Sequence, residues 1–62
     1  MPLSAKELSA IEAQLENEQL LVQKYKLFAS SCADPQLRAE CEQVAAQHQE
    51  HFSQLFQQLS GS

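Results

Sequence analysis

Glycine occurs once in the 62 residues and proline only twice, at Pro2 and Pro35. Chain breakers are therefore almost absent, and the abundant residues, Ala, Leu, Glu and Gln, are helix formers. Cysteine also occurs twice, as Cys32 and Cys41. Two are too few for a disulfide scaffold, and their spacing is not that of a metal knuckle. Lys and Arg total four against eight Asp and Glu, for a net charge of −4 and a pI near 4.9. That balance argues against a nucleic-acid role. No run approaches the ~18 apolar residues that a membrane-spanning helix needs. Met1-Pro2-Leu3-Ser4 has neither the basic region nor the apolar core of an export signal, so a cytoplasmic location with reduced thiols is expected.

The remaining residues predict two helices. Ser4 and Glu7 have the S-x-x-E spacing of a capping box, flanked by Leu3 and Leu8 at the places of a hydrophobic staple. Leu8, Ile11, Leu15, Val22, Tyr25 and Ala29 then recur at steps of three, four and seven, and the one polar residue in that run is Glu18. Leu20, Leu21, Leu27 and Phe28 widen the stripe. The first helix is expected over about 5–31, roughly 40 Å at about 1.5 Å per residue. Asp34-Pro35 supplies an N-cap and a preorganised first helical residue after a turn at about 32–34. The second helix is expected over about 35–59, with a stripe of Leu37, Cys41, Val44, His48, His51, Leu55 and Leu59 and with Phe52 and Phe56 beside it. Ser60-Gly61-Ser62 reads as a stop, with Gly61 available for the left-handed cap.

So short a connection makes the pair an antiparallel hairpin, a single domain over residues 1–62. A turn centred near Ala33 sets Ala29 level with Leu37, Val22 with Val44, Leu15 with His51, and Glu18 with His48. Leu20, Leu21, Phe28, Phe52 and Phe56 would remain wet on an isolated hairpin. Burial of each would contribute about 1.5–3 kcal/mol, so two hairpins are expected to pair as a homodimeric four-helix bundle.

The only two histidines, His48 and His51, stand three residues apart, about 60° on a helix, and so share one face. They occupy two places where the stripe should be apolar, and polar groups there need partners. Glu18 at the same height is the candidate partner. One carboxylate and two imidazoles suit zinc, iron, manganese or cobalt, with coordination positions left open. The competing reading is a metal-free polar layer in which Glu18 and His48 hydrogen-bond across the seam and fix its register. Tyr25 reads as a core tyrosine with a possible supporting contact to the site. Cys41 reads as a small core residue, and no Cys32–Cys41 bridge is expected at their separation. Glu7, Glu12, Glu16, Glu40 and Glu42 form a solvated face.

One core Glu, a short turn, then a helix with Glu-x-x-His at the same level is the half-unit of ferritin-like, rubrerythrin-type bundles. This chain resembles that half-unit over positions 8–59. Glu16-Asn17-Glu18-Gln19-Leu20-Leu21, Cys32-Ala33-Asp34-Pro35-Gln36-Leu37 and Gln47-His48-Gln49-Glu50-His51-Phe52 are similar to small coat-F-like spore coat proteins. The resemblance implies Glu18 and His51 as metal ligands and a spore-associated setting with coat-assembly protein partners. His48 stands where the pattern has the Glu that bridges two irons, which points away from diiron oxygen chemistry and towards a mononuclear or zinc-type site. Glu50 lies about 100° or more around the helix from either histidine and is a poor substitute. No catalytic role follows from these residues.

Overall fold

A computed structural model describes residues 2–61. Met1 and Ser62, the outermost residues of the expected start and stop segments, lie outside them. The described chain is two helices, α1 (Ala5–Ser31) and α2 (Pro35–Ser60), packed as an antiparallel hairpin. No strand occurs among the described residues.

Both helix starts have local causes. The Glu7 N–H donates to Ser4 Oγ at 3.1 Å, and the Ser4 N–H donates to Glu7 Oε1 at 3.0 Å. The box thus satisfies two donors that a helix start leaves without partners. The Ser4 backbone N–H, and then its hydroxyl, hold the Glu7 carboxyl below its ordinary pKa. At α2 one Asp34 oxygen accepts from the Gln36 and Leu37 N–H groups at 2.8 and 3.0 Å, and Pro35 occupies the first turn. The Arg38 guanidinium closes the turn. Its Nε and Nη2 donate to the Cys32 carbonyl at 3.2 and 2.7 Å, satisfying an acceptor at the end of α1. Gly61 has φ −80° and stays right-handed, because its N–H donates to Gln57 O at 2.8 Å and simply continues the helical pattern. The left-handed cap expected there does not form.

The seam is regular. On α1 the inward positions are Ile11, Leu15, Glu18, Val22, Tyr25 and Ala29. On α2 they are Cys41, Ala45, His48, Phe52, Leu55 and Leu59. Both runs step four, three, four, three, four, the average of 3.5 that keeps one stripe facing a partner helix. Val22, Ala29 and Ala45 are the buried apolar residues, and the small Ala29 and Ala45 allow close approach of the two backbones. Relative to the sequence expectation, the α2 seam has moved by one residue at two places. Ala45 and Phe52 point inward, while Val44 and His51 lie on its flank. Leu8 and Leu37, expected in the stripe, are exposed near the two ends of the rod.

Two long helices with one seam make a thin body, 47 × 15 × 10 Å between Cα extremes. Its radius of gyration is 14.4 Å, against about 10.6 Å for a compact domain of this length. Leu20, Leu27, Phe28 and Phe56 remain largely exposed, as the wide stripes imply for a lone hairpin. Leu21 and Phe52 are half-buried, because each lies close enough to the seam to be partly covered by the facing helix.

Candidate metal centre

Glu18 is the one buried charged residue among the described residues. Its side chain is 7 % exposed and would be costly there without partners. Both histidines supply them. His48 Nδ1 lies 2.6 Å from Glu18 Oε1, and His51 Nδ1 lies 3.1 Å from Glu18 Oε2. A carboxylate oxygen can only accept, so His48 Nδ1 is the donor of that hydrogen bond, while His51 Nδ1 stands beside the second oxygen. The two carboxylate oxygens are thus divided between two rings.

The geometry follows from helix direction. Side chains on an α-helix lean towards its N-terminus. Glu18 on α1 therefore reaches towards the level of Leu15, which α2 approaches near His51. His51 in turn leans back towards His48. One carboxylate between two facing levels can meet both rings, although the His51 side chain is 54 % exposed and sits beside the seam rather than in it. The His48 side chain, at 23 % exposed, is the more enclosed.

The rings extend the cluster. His48 and His51 meet edge to face, with centroids 5.6 Å apart. Tyr25 stacks on His48 with centroids 6.1 Å apart and planes at 18°. Tyr25 in turn meets Phe28 edge to face at 5.8 Å. The same level counting sets Tyr25 opposite Cys41, but the N-terminal lean of both rings brings Tyr25 onto His48 instead. The stacking orients the His48 imidazole, which is the supporting contact to the site that the sequence offers for Tyr25.

The donor atoms of Glu18, His48 and His51 all lie within 4.8 Å of one another, and this is the convergence of such groups among the described residues. Imidazole and carboxylate donors at that separation fit a divalent transition ion with open positions. Glu50 is exposed and takes no part. Cys32 and Cys41 are free and half-buried, and Cys32 Sγ lies 3.7 Å from the Asp34 carbonyl, away from the centre. Glu12, Glu16, Glu40 and Glu42 lie on the exposed surface, as expected of a solvated face. Compared with known proteins, the chain matches no protein-family model, no curated sequence and no solved structure at a significant level.

Proposed function

We propose that this chain is a small metal-binding protein of ferritin-like design, working as a homodimeric four-helix bundle, with Glu18, His48 and His51 as protein ligands to zinc, iron or manganese. The observation that carries the reading is the buried carboxylate with both oxygens on imidazole nitrogens, all within metal-ligand reach. A bound ion would be held by a Glu18 oxygen and one nitrogen of each of His48 and His51, and would supply Lewis-acid chemistry there. His48 in place of a bridging carboxylate favours one ion per cluster and no oxygen activation, and no reaction is assigned. A cytoplasmic or spore-associated setting belongs to the same proposal.

The test is metal content of untagged protein, loaded with zinc, iron or manganese and then desalted. The parent retains metal, and His51→Ala and Glu18→Gln lose it. Equal retention by all three would place the metal elsewhere and overturn the ligand set.

A second reading rests on the same contacts. Among the described residues no buried side-chain nitrogen or oxygen lacks a partner, so the cluster is complete without an ion. In this reading Glu18, His48 and His51 form a polar layer that fixes the register of an assembly module of the spore-coat type. A parent protein that takes up no metal, while remaining folded and associated, favours it.

A further inference from the structure

We infer that Phe28 is a positioning residue of the centre: acting through Tyr25, it sets the angle at which His48 presents its ring to Glu18. The inference rests on the ligand reading above and adds a surface residue that controls the site.

The rings form a series with one end in water. Phe28 is 47 % exposed and meets Tyr25 at 5.8 Å between centroids, with the planes at 90°. Tyr25 lies face to face on His48 at 6.1 Å and 18°. His48 Nδ1 in turn donates to Glu18 Oε1 at 2.6 Å. Three contacts therefore lead from the outside of α1 to the buried carboxylate.

Each contact restrains what the next leaves loose. The bond to Glu18 fixes one atom of His48. The torsion that turns an imidazole on its Cβ–Cγ bond has broad wells, so one hydrogen bond leaves the ring plane soft. Tyr25, against one face, removes that freedom. A tyrosine ring turns on the same kind of bond and is equally soft. Phe28, one turn later on α1, stands across it and stops the turn. Phe28 itself is steadied by Lys24, whose Nζ lies 5.8 Å from its ring centroid.

An ion would need that plane held. A ring nitrogen offers its lone pair in the plane of the ring, so a swinging imidazole aims part of its time off the site. Partners that orient a ligand in this way commonly change metal affinity by about 10–100-fold. Phe56 supplies the contrast. It is 52 % exposed and stacks on Phe52 at 6.4 Å. Among the described residues no ring contact joins that pair to Tyr25, His48 or His51.

The test reads each link separately. Tyr25 is the one tyrosine and the chain has no tryptophan, so the tyrosine band in near-ultraviolet circular dichroism reports that ring alone. The His48 Nδ1 proton, bonded to a carboxylate, is read by proton NMR. In chelator, Phe28→Ala weakens the tyrosine band and broadens the Nδ1 proton resonance, whereas Phe56→Ala changes neither. Helicity in the far ultraviolet confirms that each variant is folded. In a competition titration with zinc, Phe28→Ala binds about 3- to 10-fold more weakly than the parent, while Phe28→Tyr and Phe56→Ala stay within about twofold of it. Tyr25→Leu, which removes the stacked ring itself, loses about 10- to 100-fold. Equal weakening by Phe28→Ala and Phe56→Ala, or no rescue by Phe28→Tyr, overturns the inference. Zinc bound as tightly by Phe28→Ala as by the parent also removes it and leaves the ligand reading standing. A parent that takes up no zinc, while Phe28→Ala alone loses the resonance, removes the ligand reading and leaves Phe28 as the support of His48.

Discussion

Glu18→Ala lowers the unfolding free energy by about 2–3 kcal/mol, because one truncation removes both acceptors of the cluster. His48, enclosed between Tyr25 and the seam, is left with an unpaired Nδ1, whereas His51 can turn to water. His51→Ala consequently costs only about 0.5–1 kcal/mol in metal-free protein. For a small, thin domain the larger loss is a sizeable share of total stability. Urea unfolding in chelator reads both values. The double variant Glu18→Leu, His48→Leu completes the test. Replacing a buried polar pair by apolar side chains is commonly neutral or stabilising, so this chain matches or exceeds the parent while losing the site. A Glu18→Ala chain as stable as the parent would mean that the carboxylate is not held as the structure has it.

Metal gives the other large effect. An ion that binds the folded hairpin and not the unfolded chain, at about 100 times its dissociation constant, adds about 2.7 kcal/mol. For a domain near 60 residues that is a rise in Tm of about 10–20 °C. A thermal melt with zinc, manganese or ferrous iron shows the rise in the parent and its loss in both Glu18→Gln and His51→Ala. The His51 variant separates the two readings of the cluster. As a half-exposed member of a structural layer, His51 contributes little, whereas as one of three protein ligands its loss removes most of the metal response. A rise of the same size in parent and variants would assign the binding to other groups.

The caps and the turn were legible from local chemistry alone. Ser4 with Glu7, and Asp34 with Pro35, act within one helical turn, and both helices start where these residues put them. The level of Glu18 with His48 was legible too, because a short turn leaves little freedom in counting back along two rods. What the pattern could not decide was rotation about each helix axis. Val44 with His51, and Ala45 with Phe52, are equally good continuations of a stripe through Cys41, His48 and Leu55. Hydropathy favours Val44 over Ala45, but close approach of two backbones favours the smaller residue, which is the one buried. That rotation puts His51 on the flank. It stays within 3.1 Å of Glu18 because both side chains lean towards their own N-termini. The same lean carries Tyr25 past Cys41 to His48, a contact that level counting cannot give. Leu8 and Leu37 were read as core from spacing, yet each lies near an end of the rod, where little of the facing helix is left to cover it.

The most direct measurement is anomalous diffraction at the zinc edge from crystals grown with zinc. The account predicts a peak at the middle of the hairpin, about 2.0–2.2 Å from a Glu18 oxygen and from one nitrogen of each of His48 and His51. Diffraction from the same crystals with no peak at that height, and with the carboxylate still hydrogen-bonded to His48 at 2.6 Å and 3.1 Å from His51 Nδ1, would contradict it.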